Sequence, residues 1–309
     1  MNKKIYTKQL KLLILFVLIF LFGCSHKLHR NQTITLVDII PFKLSTYNNI
    51  VVEAVLNTTD TVNLMFHTAA NSASVIKSSS ERLNSITWTN ETAVSASWGG
   101  NGVSRYSQAN TLKIGNMVFD SLSIWENEKS GPGTDGKFGI NLFDDYVVEI
   151  NFDESLIKLH HTLPNTEDYI KMNLDNKDGL LFITGTSRID SSDYDNPFLI
   201  HSGYSGALLF DDKFSNETQM GQYIKITSEE VLKDSFGNIL KTKKGILPKF
   251  SLGEMQFFDV PVGFFEGTIG KQKMSVMGGD MIKRFNIIFD KDSAAIYLKA
   301  NSLMNERFN

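Results

Sequence analysis

Three blocks of this sequence recur, in the same order, in its second half. Such a duplication, if missed, would mis-assign the whole fold. Phe66-His67-Thr68-Ala69-Ala70-Asn71-Ser72 answers to Ile200-His201-Ser202-Gly203-Tyr204-Ser205-Gly206, 134 residues later. LKIGNMVFDSLSI (112–124) answers to FSLGEMQFFDVPV (250–262), with Gly115 and Gly253 separated by 138. KFGINLFDDYVVEINFDESLIKL (137–159) answers to VMGGDMIKRFNIIFDKDSAAIYL (276–298), with Gly139 and Gly278, Ile157 and Ile296, and Leu159 and Leu298 all separated by 139. The small drift in spacing is the mark of loop insertions. A chain of 309 residues has room for two such units of about 140 residues each.

The repeated segments read as strands. IVVEAVL (50–56), VNLMF (62–66), ANTLKIG (109–115), YVVEINF (146–152) and LIKLH (156–160) are short apolar or alternating runs set between Gly, Asn, Asp and Ser. Their β-branched and aromatic residues suit a pleated, half-buried surface. Short helices are expected only near 75–83 and 141–145. The fold class expected is all-β, with a first lobe over 35–165 and a second over 166–309.

The amino terminus follows a different rule. Residues 1–11 carry four lysines and no acid, and residues 12–22 form an unbroken apolar run, too short for a comfortable bilayer span. Leu21-Phe22-Gly23-Cys24 then contains the sole cysteine of the chain. This sequence resembles the lipobox of bacterial lipoproteins. The resemblance implies cleavage after residue 23, acylation of Cys24, a membrane anchor, and a short polar tether over 24–34 that leaves the folded part outside the cytoplasm. Ser25 does not resemble an inner-membrane retention signal, and the same analogy favours the outer membrane. His26 and His29 read as solvated tether residues. One cysteine excludes an intramolecular disulfide framework and a Cys-rich metal site. A net charge of −3, without long charge runs, offers no basic field for nucleic acid.

In the aspartic peptidases an apolar strand ends in acid-Thr/Ser-Gly and is followed much later by an apolar-apolar-Gly turn, and outside the acid positions this chain is similar to that pattern. The likeness extends to both the two-lobed pepsin-like enzymes and the retropepsin-like single-lobe dimers, is greatest to bacterial lipoproteins with two retropepsin-like lobes, and covers about 50–300. It implies two homologous barrel lobes with a cleft between them. It also implies active loops at His67-Thr68-Ala69 and His201-Ser202-Gly203, with Phe138-Gly139 and Met277-Gly278 as the turns behind them. By the same likeness Thr68 and Ser202 lock the loops together. Trp98-Gly99-Gly100-Asn101-Gly102 stands where a flap would be, and Trp98 and Tyr204 are candidate apolar anchors in the cleft.

The pattern is broken where the chemistry would occur. The family's mechanism needs two carboxylates about 3 Å apart sharing one proton, and the two slots hold His67 and His201. An imidazole is broader than a carboxylate, and its neutral form has one donor and one acceptor nitrogen. Ala69, in place of a loop glycine, adds a methyl where the family packs backbone closely. The expectation is a protein without hydrolytic activity that binds an extended peptide in its cleft by strand addition. Two alternatives stand beside it: an active hydrolase with a divergent site, and a ligand site at the histidine pair for an anion or zinc. Two imidazoles alone are an incomplete zinc site, which needs a third ligand or waters, and no cofactor is otherwise expected. Asp135, Asn151 and Asp290 read as turn residues. Ser205 lacks the five-residue form of a nucleophile elbow. His160 and His161 end a strand and should point to opposite faces.

Overall fold

The duplication in the sequence is a duplication of strand order. In the computed structural model, backbone is described for residues 36–97, 100–233, 239–265 and 272–309, and side chains at 93–102 and 232–241 are not. The expected signal segment, Cys24, the expected tether with His26 and His29, and Trp98 and Gly99 of the expected flap lie outside the described residues.

One eight-stranded sheet runs, in spatial order, through Lys43–Leu44, Ile50–Leu56, Asp60–His67, Gly136–Gly139, Ala73–Ile76, Met117–Asn127, Gly100–Ile114 and Thr92–Ser97. The other runs through Asp175–Lys177, Leu180–Ile189, Ser192–His201, Ser275–Gly278, Leu208–Leu209, Met255–Phe264, Ile239–Leu252 and Lys225–Lys233. Position by position the two lists are the same unit. A further pairing of Ile50–Leu56 with Gly100–Ile114, and of Leu180–Ile189 with Ile239–Leu252, closes six strands of each into a barrel. Closure removes the open edges that a sheet of this size would otherwise expose. The all-β, two-lobed expectation is met. Among the described residues helices are short: Lys77–Ser80 and the 3-10 turn Ile140–Phe143 fall where the sequence placed them, and Asp212–Glu217, Met220–Tyr223 and Gly279–Ile282 are added.

Alternation sets which side chains fill the barrels. In Ile50–Leu56 the residues Ile50, Val52, Ala54 and Leu56 point inward and are buried, with the intervening ones more exposed. Phe66 packs on Phe138 and Phe143 with ring centroids 5.2 and 5.9 Å away. In the second barrel Phe198 packs on Phe210 and Phe250 at 5.4 and 5.3 Å. Such pairs add about 0.5–1.5 kcal/mol each beyond the area they bury. The repeated hairpin glycines, Gly115 and Gly253, both adopt left-handed backbone, with φ of +59° and +56°. A side chain there would be strained, and at Gly115 it would also meet the Asp38 carboxylate.

A third sheet joins the halves. Its order is Leu36–Pro41, Leu156–His160, Val147–Asn151, Phe285–Asp290, Ala295–Ala300 and Ile170–Asn173. Across the centre Val148 faces Phe289, Glu149 faces Ile288 and Ile150 faces Ile287. Glu149 and Ile288 are each other's counterparts in the repeat, so the symmetry axis passes through this pair. On the outer side His160 is buried with its Nε2 2.9 Å from a Glu149 carboxylate oxygen, whereas His161 is exposed and lies against Tyr146. The two histidines take opposite faces. Asn151 and Asp290 accept backbone N–H bonds from Glu154 and Ser293, three residues on in each repeat, as turn residues do.

Candidate functional site

The matched strands Asp60–His67 and Ser192–His201 each run parallel to the short strand carrying the apolar-Gly turn. His67 stands in register with Gly139, and His201 with Gly278. Both glycines are obligatory: a Cβ on Gly139 would lie 2.0 Å from the Ala70 carbonyl oxygen, and one on Gly278 2.2 Å from that of Gly206. Each polar loop is therefore pressed directly onto its turn, which fixes where the strand ends and where its last side chain points.

The two loops meet across the lobes in a reciprocal set of hydrogen bonds. Thr68 Oγ1 donates to the Ile200 carbonyl at 2.6 Å and accepts the Ser202 N–H at 3.0 Å. Ser202 Oγ donates to the Phe66 carbonyl at 2.7 Å and accepts the Thr68 N–H at 3.0 Å. Thr68 and Ser202 are fully buried, so each bond is shielded from competing water. Two asparagines brace the joint from the chain ahead of Ile50. Asn49 Nδ2 donates to the Ser202 carbonyl at 3.0 Å and Asn48 Nδ2 to the Ser205 carbonyl at 2.9 Å.

Held this way, the rings of His67 and His201 face each other with centroids 4.5 Å apart and planes inclined at 63°. The Ala69 N–H donates to His67 Nδ1 at 3.2 Å, which leaves the ring proton on Nε2. His67 is buried, while His201 keeps part of its ring surface open with Nδ1 buried. Burial, the neighbouring His201 and then the Lys137 ammonium hold His67 well below the usual imidazole range. Burial and then Lys137 bring His201 down to about 4. Both rings are thus neutral at neutral pH. A neutral imidazole N–H is not a general acid, and what lowers a ring nitrogen's affinity for a proton also weakens it as a base. What the pair offers a ligand is hydrogen bonding.

Strict two-fold symmetry stops at the third loop residue. A Cβ on Gly203 would fall 2.4 Å from His67 Nε2 and 3.2 Å from His201 Cε1, so the His67 ring occupies the space above Gly203. The counterpart Ala69 instead packs against an apolar group of the second lobe built from Phe182, Leu199, Leu209, Phe265 and Val276. Tyr204 is partly buried at the margin of the same group. A Cβ on Gly278 would touch its ring at 2.5 Å. Burial, and secondarily Glu230, raise its phenol above the usual value.

The structure brings together His67, Thr68, Ala69, His201, Ser202, Gly203 and Tyr204. Gly100 opens the long strand of a hairpin whose partner is Thr92–Ser97. Among the described residues no third His, Cys, Asp or Glu joins the imidazoles to complete a metal site. Asp135, more than a turn residue, accepts hydrogen bonds from the Asn63 N–H at 2.8 Å and Ser79 Oγ at 2.8 Å and pairs with Arg82. Sequence reasoning missed Lys137, Asn48 and Asn49. The signal for Lys137 was present, because it heads the repeat block opposite Val276.

No protein-family model matches the chain, and no curated protein matches it in sequence. Among solved structures it is similar to the aspartic proteinase from Irpex lacteus, with a TM-score of 0.56 and 13% identity over 88% of this chain and 99% of that one. At that identity the likeness concerns the fold.

Proposed function

We propose that this chain is a membrane-tethered, non-hydrolytic protein of aspartic-proteinase fold whose interlobe cleft binds an extended peptide segment. The observation that carries this reading is the His67–His201 pair at 4.5 Å. Two neutral rings fill the positions where proton-sharing carboxylates would have to stand, while the reciprocal Thr68 and Ser202 bonds that hold the loops in place are intact. Loss of the acids with retention of the joint is what a binding cleft needs, since preorganised walls lower the cost of association. A single Cys24 directly behind the apolar leader supports acylation and an extracytoplasmic location, and Ser25 after it favours the outer membrane by analogy with bacterial lipoproteins. Two acyl chains hold a protein on a membrane stably where one does so only marginally.

The purified chain, incubated with unfolded protein at acidic and neutral pH, should give no cleavage above a buffer control. Its intrinsic fluorescence or calorimetric heat should change on titration with extended peptides. Cleavage that disappears in a His67→Ala variant would overturn the non-hydrolytic reading, and absence of binding to any peptide would overturn the binding one. Purification without chelator should yield no stoichiometric zinc, and added zinc should leave the melting temperature unchanged.

A further inference from the structure

Strand register allows the cleft-facing surfaces of the two barrels to be compared residue by residue. In the first barrel Phe66 and Phe138 are paired and point into the core, so their neighbours Met65, His67 and Lys137 project from the opposite face. In the second, Phe198 and Met277 point into the core. Leu199, His201 and Val276 project outward. Lys137 and Val276 are thus the same position in two copies of one unit. Ser74 stands beside Lys137 as Leu209 stands beside Val276. Asn127, which donates to Ser74 Oγ at 2.9 Å, corresponds to Phe265. Asn49 corresponds to Leu180, each being one residue ahead of a matched pair, Ile50 with Leu44 and Leu181 with Asn176.

At these four matched positions one wall has Asn, Ser, Asn and Lys, and the other has Leu, Leu, Phe and Val; of the eight, Lys137 and Leu180 are partly exposed and the other six lie buried behind them. Duplicated units begin alike, and a one-sided division of this kind makes a cleft with two different walls. The apolar wall packs on itself, with Leu180, Met274, Tyr204 and Ala69 forming its partly exposed rim. The polar wall has the partly exposed residue Lys137, whose positive charge lowers the proton affinity of both imidazoles.

An extended peptide directs successive side chains to opposite sides. Lying between these walls, it would place neighbouring residues against Lys137 and against the Leu180–Met274 rim. We propose that the cleft selects segments in which an acidic residue adjoins a bulky apolar one, the carboxylate at Lys137 and the apolar side chain against the second lobe. This deepens the peptide-binding reading and rests on it. A carboxylate that leaves water for a site beside an ammonium forms a charge-assisted hydrogen bond about twice as strong as a neutral one. A lysine at that position of the peptide would meet like charge, and such juxtapositions are how an interface rejects wrong partners.

The test is a titration of the full chain in detergent with four fluorescent decapeptides that differ only at two central residues: Glu-Leu, Gln-Leu, Lys-Leu and Glu-Ser. The expected order has Glu-Leu tightest, with Lys-Leu and Glu-Ser each weaker by tenfold or more. Lys137→Met should equalise Glu-Leu and Gln-Leu while keeping the preference for Leu over Ser, and Lys137→Glu should reverse the ranking of Glu-Leu and Lys-Leu. Leu180→Asn, which installs the first-lobe residue on the second wall, should reduce the preference for Leu with the charge preference intact. Because Lys137 and Leu180 are partly exposed, unchanged melting temperatures establish that these variants fold. Equal binding of the first three peptides, or a charge preference that survives in Lys137→Glu, would overturn the two-wall proposal and leave peptide binding standing. Failure of all four, and of a random decapeptide pool, would overturn the peptide-binding reading itself.

Discussion

Replacing Thr68 with Val removes one hydroxyl, keeps the shape, and deprives two buried partners at once. The Ile200 carbonyl loses its donor at 2.6 Å and the Ser202 N–H loses its acceptor at 3.0 Å. A buried polar group left without a partner costs about 1–3 kcal/mol, so Thr68→Val should destabilise the protein by roughly 2–6 kcal/mol. Ser202→Ala removes the mirror-image pair of bonds, to the Phe66 carbonyl and from the Thr68 N–H, and should cost a similar amount. For a chain of this size 1 kcal/mol moves the melting temperature by about 2–4 °C, which puts each variant on the order of 10 °C below the parent. The double variant should lose less than the sum, because once one half of the joint is open the other half has less to hold. Thermal melts and urea titrations measure all three, with Thr61→Val on an exposed strand position as the control, expected within about 0.5 kcal/mol of the parent. A Thr68→Val variant that melts with the control, or a strong inequality between Thr68→Val and Ser202→Ala, would refute the view that the loops are locked by a symmetric, shielded exchange.

Both site imidazoles bind a proton less readily folded than unfolded, where the value is near 6.5. Their contribution to stability is therefore present above about 6.5 and is lost as pH falls below it, for His201 down to about 4, with a slope of up to about 1.4 kcal/mol per pH unit per ring. A His67→Gln, His201→Gln double variant should flatten that part of the stability profile, and a His67 resonance titrating near 6.5 would contradict the burial account. Gly203→Ala drives a methyl into the His67 ring and should cost roughly 1–3 kcal/mol. Ala69→Gly should cost less than about 1.5 kcal/mol, because only a methyl contact is lost, and equal melts for the two would deny the asymmetry of the loops. Arg284 is buried and donates to the carbonyls of Asp280, Met304 and Glu306, with Phe308 stacked on its guanidinium. Arg284→Met should cost roughly 3–5 kcal/mol and expose residues 302–309 to limited proteolysis, and an unchanged cleavage pattern would argue against that clamp.

How much of this was readable beforehand follows from the range of each interaction. Periodicity and spacing are local, and they located strands such as Ile50–Leu56 and Leu156–His160 to the residue. The repeat offset supplied one long-range fact, that His67 and His201 are equivalent, and equivalence put them on the same seam. Lys137 is marked only by the repeat alignment, which sets it against Val276, because a lone lysine ahead of an apolar-Gly turn has no local pattern of its own. Asn48 and Asn49 left no trace, since a side chain that reaches a carbonyl more than 150 residues away belongs to no periodic pattern. The joining sheet was equally silent. The pairing of Leu36–Pro41 with Leu156–His160 is a choice among strands, and composition does not record it.

The join at Glu149 and Ile288 has a history written into its register. A residue that faces its own counterpart, with flanking pairs exchanged about it, is the contact rule of an isologous dimer. A second copy of the first half could repeat this backbone register only by setting one buried Glu149 against another, a like-charge pair that Ile288 removes. Covalent linkage released each half from having to match the other, and the unlike walls of the cleft are a freedom that two identical subunits could never have had.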